Sequence, residues 1–320
     1  MIAATVQRTV RERGLLSPGD HVLVGCSGGA DSTALLHVLH RLRNELGVTL
    51  CAASIDHGLR PESAGEVRQV GELAASLGVP VVPGRVDVAT DGASLQARAR
   101  ALRYQALRDI AASQSASCIA VGHTRDDQAE TVLSRLLRGS GVRGLSGIEA
   151  RRADGVIRPL IDCRREEVRA YVVERGVPFV DDPSNHQRAF ERVRIRHEVL
   201  PVLQSEDARI VEHLAELSDE AAELSAFLDE ATPDLPPDGA RTIAIETLSR
   251  LAPPLQIRWI RAWIARESGL TPSRRHMGEL GRLLTGAGEV LLGSGWSVRR
   301  ESDGLLLEYR EHRRTRSHRS

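Results

Sequence analysis

The run Val22-Leu23-Val24-Gly25-Cys26-Ser27-Gly28-Gly29-Ala30-Asp31-Ser32 constrains this chain more than any other feature of its sequence. An apolar strand passes through Ser-Gly-Gly-x-Asp-Ser straight into a helical pattern. Glycines let a backbone approach a phosphate closely. The helix start that follows presents unpaired N–H groups and the positive end of a dipole. Together they form an anion cradle, to which Ser27 and Ser32 add hydroxyls. Asp31 is the odd member, because a carboxylate repels phosphate. A Mg²⁺ ion held between the two resolves the conflict. A Ser/Asp helix cap with glycines in a tight turn would account for a bare Ser-Gly-Gly. The full pattern, with a strand before it and a helix after it, points to nucleotide binding instead.

The chain contains no lysine, so all 43 basic residues are arginine, and they balance 43 acidic ones. A Walker-type phosphate lysine is therefore excluded. Anions must be met by arginine forks, histidines or backbone N–H groups. Zero net charge gives no global field toward nucleic acid. A length of 320 residues suggests about two domains. With aromatics at only 3%, aliphatic side chains must fill most of the core. Cys26, Cys51, Cys118 and Cys163 lie far apart without a CxxC pair, so neither a zinc knuckle nor a thiol relay is signalled. Cys51, Cys118 and Cys163 read as small core residues. Residues 1–14 read as an amphipathic helix rather than a secretory signal, and no apolar run reaches the roughly 18 residues that span a bilayer. A cytoplasmic protein without membrane contact is expected.

Strand-like runs at His21–Gly25, Thr49–Ile55, Val79–Val86 and Ser117–Gly122 alternate with helical patterns at Thr33–Leu46, Glu62–Leu77, Leu95–Ala112 and Asp127–Arg138. Such alternation predicts an α/β fold, a Rossmann-like parallel sheet with helices on both faces. Its ligands then sit at the carboxyl ends of the strands, near the point where strand order reverses. The stretch Gly139–Gly144 reads as a mobile loop without a regular helix. Helical patterns return at 164–175 and at 189–231, the latter interrupted at Pro201. Thr232–Gly239 is a Pro-rich linker. Beyond it lies a smaller α/β segment with helices at Leu255–Glu267 and Pro272–Leu284, then strands at Glu289–Leu292, Trp296–Arg300 and Leu305–Tyr309. The tail from Arg310 is rich in arginine and reads as an unstructured electrostatic contact for RNA.

Ser27–Ser32 resembles the pyrophosphate-binding loop of the N-type ATP pyrophosphatases. Further stretches narrow the resemblance: Ser54-Ile55-Asp56-His57-Gly58-Leu59-Arg60 after the second strand, then Gly122-His123-Thr124-Arg125-Asp126-Asp127-Gln128-Ala129-Glu130-Thr131 after the fourth. Arg158-Pro159-Leu160, Asp182-Pro183-Ser184-Asn185 and Arg192-Val193-Arg194-Ile195-Arg196 follow. In this order they are similar to the tRNA(Ile)-lysidine synthases, over roughly residues 20–203. Val193 departs from the asparagine that the family often has between two arginines.

The resemblance implies a catalytic domain over 1–203, a helical connector and linker over 204–239, a tRNA-binding domain over 240–310 and a basic tail over 311–320. It implies ATP bound by Ser27, Gly28, Gly29, Ala30, Asp31, Ser32, Asp56, His57, Gly122 and His123, with Asp31 holding Mg²⁺. It further implies tRNA contacts from Arg103, Arg143, Arg192, Arg194 and Arg196. Arg274, Arg275 and His276 lie on a helix of the C-terminal segment. The partners implied are tRNA(Ile) with a CAU anticodon, free L-lysine and ATP; self-association into a homodimer stays open.

Asp127 and Glu130, three apart at a helix start, share one face. A solvated acidic first turn would explain them. Two carboxylates in a nucleotide cleft would also attract an ammonium, such as that of free lysine, and the resemblance favours this second reading. Asp31, Asp127 and Glu130 are thus the candidate catalytic residues. In the implied reaction the cytosine O2 attacks the α-phosphate of ATP, and lysine then displaces AMP from C2. A tRNA thiolase with the same loop is the nearest alternative, although its cluster-dependent branch needs paired cysteines. An amidotransferase-type synthetase would need an ammonia source. A non-catalytic nucleotide- or RNA-binding module would gain nothing from carboxylates beside phosphate.

Overall fold

The computed structural model describes residues 2–56, 63–86, 95–181 and 190–310. The chain divides into one unit of Met1–Gly139 with Gly144–Asp219 and a second of Ser140–Arg143 with Glu220–Ser320.

The first unit is built on five parallel strands: β1 (His21–Gly25), β2 (Thr49–Asp56), β3 (Val81–Arg85), β4 (Cys118–Ala120) and β5 (Val156–Ile157). Their order is β3-β2-β1-β4-β5. With them come α1 (Ile2–Glu12), α2 (Ala30–Leu46), α3 (Ser63–Ser76), α4 (Leu95–Ser113), α5 (Arg125–Leu137) and α7 (Arg165–Glu174); the single turn α6 (Val142–Leu145) straddles the division, with Val142 and Arg143 assigned to the second unit. Alternate strand residues serve opposite faces. Val22, Val24, Leu50 and Ala52 pack with Leu35, Leu36 and Leu39 of α2 and Val168 of α7. Leu23, Cys51, Ala53 and Ile119 pack with Tyr104 and Leu107 of α4. Strands covered on both sides read as unbroken apolar runs, and each leucine so buried stabilises the fold by ~1.5–3 kcal/mol. The chain leaves β1 toward β2 and β3, then crosses back to β4 on the other side of β1. That reversal places the ends of β1 and β4 side by side at the switch point where such sheets bind ligands.

Behind α5 runs a helical string: α8 (Glu191–Arg194), a π-helical turn (Ile195–Val199), α9 (Leu200–Glu206) and α10 (Ile210–Glu230). Pro201, which lacks an N–H, lies in the first turn of α9 directly after the widened turn. Ile195 and Leu200 bury against Ala129, Val132 and Leu133 of α5. The division between the two units falls within α10.

The second unit holds the antiparallel sheet β6 (Thr242–Ala244), β7 (Glu289–Gly293), β8 (Trp296–Arg300) and β9 (Gly304–Tyr309), in the order β6-β9-β8-β7. Its helices are α11 (Ile245–Ser249), α12 (Pro253–Ser268) and α13 (Arg274–Leu283). Trp259, Ile260, Trp263 and Leu280 form its core with Val298 and Leu305. The buried Trp263 indole donates to the carbonyl of Ala240 at 2.7 Å, so its N–H is satisfied.

Three features depart from the sequence-based expectation. The Gly139–Gly144 stretch contains the one-turn helix α6, because Val142 and Arg143 tolerate helical backbone between Gly141 and Gly144. The two-residue β5 and the three-residue β6 were not anticipated, since neither is long enough to show an alternation. All four cysteines are buried and unbridged. No helix among the described residues is long and apolar enough to cross a membrane. The arginine tail from residue 311 lies outside the described residues.

Candidate active site

The phosphate loop is braced from within. Ser27 N–H donates to Ser32 Oγ at 3.1 Å, and Ser32 Oγ donates to the Gly29 carbonyl at 3.0 Å. Gly28 adopts φ +86°, a left-handed backbone that favours glycine. Its carbonyl accepts from Val180 N–H at 2.9 Å, which ties the loop down from outside. Gly29 caps α2 without any side-chain hydrogen bond; the Ser32 N–H turns back to the Gly29 carbonyl at 3.1 Å, leaving the N–H groups of Ala30 and Asp31 for an anion. Ser27, Gly28, Gly29, Ala30, Asp31 and Ser32 therefore sit as one cradle at the carboxyl end of β1. Gly122 closes it from the side: a Cβ there would lie 2.9 Å from the Asp31 carbonyl oxygen.

No hydrogen bond from the described residues reaches the Asp31 carboxylate. Burial, reinforced by the negative charge of Asp127, pushes its pKa up to about 7, although Arg165 and Arg196 oppose the shift. A desolvated hard oxygen donor beside a phosphate cradle fits Mg²⁺. Among the described residues no three His, Cys, Asp or Glu gather into a metal cage. One carboxylate plus substrate phosphates is the arrangement that ion accepts.

Asp127 and Glu130 stand at the start of α5, at the carboxyl edge of β4. Thr124 and Asp127 form a capping box, in which Asp127 Oδ2 accepts from Thr124 N–H at 2.7 Å. The remaining donors are arginines. Arg165 Nη2 and Arg192 Nη2 each reach Asp127 Oδ1 at 2.6 Å. Arg165 Nη1 and Arg196 Nε reach Glu130 Oε1 at 2.8 and 2.7 Å, and Arg192 Nε reaches Glu130 Oε2 at 2.6 Å. Burial alone would raise both carboxyl pKa values, but the arginines outweigh it and hold both below the usual range. The pair is ionised and charge-compensated.

His123 lies buried beside them. Its Nδ1 accepts from Arg158 Nε at 3.2 Å, and Arg100 Nη2 lies 3.4 Å from Nε2. Burial pushes the imidazole pKa down to about 3, despite the nearby Asp127, so the ring is neutral. The guanidinium carbons of Arg100, Arg103 and Arg152 lie 5.1, 5.7 and 5.2 Å from the centre of the Tyr104 ring. Arg152 pairs with Asp154, whereas no carboxylate among the described residues pairs with Arg100, Arg103 or Arg158.

Of the other anticipated site residues, Asp56 ends β2 on the same sheet edge, and His57 lies outside the described residues, as does the Asp182–Asn185 stretch. Arg192 and Arg196 face the carboxylates, while Arg194 is exposed on α8. Arg143 belongs to the second unit. Sequence reasoning missed Arg165, Arg100 and the part played by Arg158. Nothing local marks Arg165, which opens an ordinary-looking helix.

A PP-loop domain model matches residues 2–203, and a TilS substrate binding domain model matches residues 244–306. The tRNA(Ile)-lysidine synthase of Salinispora tropica is 40% identical over 298 residues, covering 88% of each chain. That of Salinispora arenicola is 39% identical, covering 95% of this chain and 96% of its own. The chain belongs to the tRNA(Ile)-lysidine synthase family. A U34-tRNA thiolase of Methanococcus maripaludis superposes with a TM-score of 0.59 at 16% identity, over 69% of this chain and 80% of its own. That likeness shows the shared fold alone. Membership of this ATP-utilising family implies that the chain binds ATP.

Proposed function

We propose that this chain joins free L-lysine to C2 of the wobble cytidine in the CAU anticodon of tRNA(Ile), consuming ATP and releasing AMP and pyrophosphate. The observation that carries the reading is the contact between two kinds of site. The phosphate cradle at the end of β1 touches, through Gly122, the edge that bears Asp127 and Glu130. A nucleotide cradle alone serves any adenylating enzyme; an ionised carboxylate pair beside it adds a seat for an ammonium.

In the first step the cytosine O2 attacks the α-phosphorus of ATP, and the bond to the β,γ-pyrophosphate breaks. The first-turn N–H groups of α2 and the hydroxyl of Ser27 hold the departing phosphates, where negative charge develops. Asp31 would hold Mg²⁺ here, and the bound ion would supply positive charge against the phosphates. Arg100 and Arg158, which contact His123 next to Gly122, and Arg103 over the Tyr104 ring would meet phosphate oxygens. In the second step a lysine amine attacks C2, the C2–O2 bond breaks, and AMP departs with the oxygen while the amine gives up its proton. A lysine amine is protonated in water, with a pKa of ~10.4, so it arrives as an ammonium that Asp127 and Glu130 can seat. The target base has to leave the anticodon stack to reach the cleft. The second unit and Arg143 and Arg194 supply tRNA contacts.

The two steps separate experimentally. With ATP and tRNA(Ile) but no lysine, pyrophosphate should be released while AMP is retained on the tRNA; adding lysine should release AMP. Pyrophosphate release that ignores tRNA would refute the reading.

A further inference from the structure

Each carboxylate oxygen can accept about two hydrogen bonds, roughly four per group. Asp127 takes two at Oδ2, from Thr124 N–H and Thr124 Oγ, and two at Oδ1, from Arg165 and Arg192. Glu130 takes two at Oε1, from Arg165 and Arg196, and two at Oε2, from Arg192 and Arg196. The pair is saturated. No ammonium can be added to it unless one of the present donors leaves.

The three arginines are not equivalent. Arg196 grips Glu130 with Nε and Nη2 together, and Arg165 opens helix α7; the side chains of both are 24% exposed. The Arg192 side chain is 44% exposed and springs from the four-residue helix α8. It makes one bond to each carboxylate, through Nη2 and Nε. Its departure would therefore free one acceptor position on Asp127 and one on Glu130, the bridging pair that a single ammonium fills. Glu191, its neighbour, stays clasped to α5 by accepting from Ser134 Oγ at 2.6 Å and from Arg138. The arginine can swing while the backbone beneath it stays put.

We infer that the Arg192 guanidinium is a resident stand-in for the substrate ammonium, and that lysine enters by displacing it from Asp127 and Glu130. This rests on the reading of those carboxylates as the lysine seat. The exchange swaps one cation for another while Arg165 and Arg196 stay on the carboxylates, so the buried pair keeps its charge compensation throughout. It also makes lysine affinity the outcome of a competition inside the chain, because a site occupied by its own arginine binds with its apparent affinity reduced by the open fraction.

The test is direct binding of labelled L-lysine to the full chain, comparing wild type, Arg192→Ala, Arg192→Gln and Asp127→Asn. Displacement predicts that both Arg192 variants bind lysine about fivefold more tightly or better, while Asp127→Asn binds it more weakly. Methylguanidinium should refill the vacated place: it should raise the melting temperature of Arg192→Ala, leave wild type unmoved, and compete with lysine in the variant. If Asp127→Asn weakens lysine binding but the Arg192 variants bind it no better than wild type, displacement is wrong and the lysine seat stands. If Asp127→Asn leaves lysine binding unchanged, the seat itself is misassigned.

Discussion

A side chain on Gly122 would meet the main chain of Asp31, with its Cβ 2.9 Å from the carbonyl oxygen and 3.0 Å from the carbonyl carbon. The end of β4 and the first turn of α2 are thus in backbone contact, and the absence of a Cβ is what permits it. Gly122→Ala should push the phosphate loop out of shape, costing ~1–3 kcal/mol as overpacking does. ATP affinity should fall by about tenfold or more, since loss of the cradle removes charge-assisted bonds. Titration with a fluorescent ATP analogue checks it; unchanged affinity would show that the contact does not set the loop.

Glu130 is fully buried beneath three guanidinium groups. Glu130→Gln should lower stability by ~3–5 kcal/mol, because it strands cations that the carboxylate compensates. Denaturant midpoints measure this, and a loss below ~1 kcal/mol would contradict the view of one coupled cluster.

His123 gives the protein an acid-side liability. Its imidazole pKa is pushed down to about 3 in the fold, while an unfolded histidine titrates near 6.5. Between these values the unfolded chain binds the extra proton, so stability falls as pH drops from ~6.5 toward 3, by at most ~1.4 kcal/mol per unit from this residue. Above ~6.5 the effect vanishes. His123→Asn should flatten this part of the stability–pH curve, and an unaltered slope would remove His123 as its source.

Arg158 orients His123 and is not paired with any described carboxylate. Arg158→Ala should weaken ATP or tRNA binding by ~1.5–3 kcal/mol, the worth of a hydrogen bond to a charged group. Separate titrations with ATP and with tRNA identify which phosphate it meets; no loss in either would remove it from the site.

Much of this was legible in the chain itself. The phosphate loop declares itself because strand, glycines and helix start are contiguous. The strands β1, β2 and β4 were visible because both faces are buried, giving unbroken apolar runs, and the edge strand β3 by its paired valines Val81 and Val82. The strand β5 was not, since Val156 and Ile157 carry no period. The arginines on Asp127 and Glu130 were less legible still. Arg192 and Arg196 could be singled out by family resemblance, yet as RNA contacts. Arg165 could not be singled out, because three residues separated by up to 31 positions converge only through the packing of α5, α7 and α8. The same distance in sequence hid the approach of Arg100 and Arg158 to His123.

The central claim is that this fold seats a free amino acid against an adenylated tRNA base. Incorporation of labelled L-lysine into tRNA(Ile) with a CAU anticodon, with ATP, by wild type and by Asp127→Asn, tests it most directly. The account predicts ATP-dependent incorporation by the wild type and its loss, with tRNA-dependent pyrophosphate release retained, in the variant. Pyrophosphate release without incorporation by the wild-type chain would contradict it.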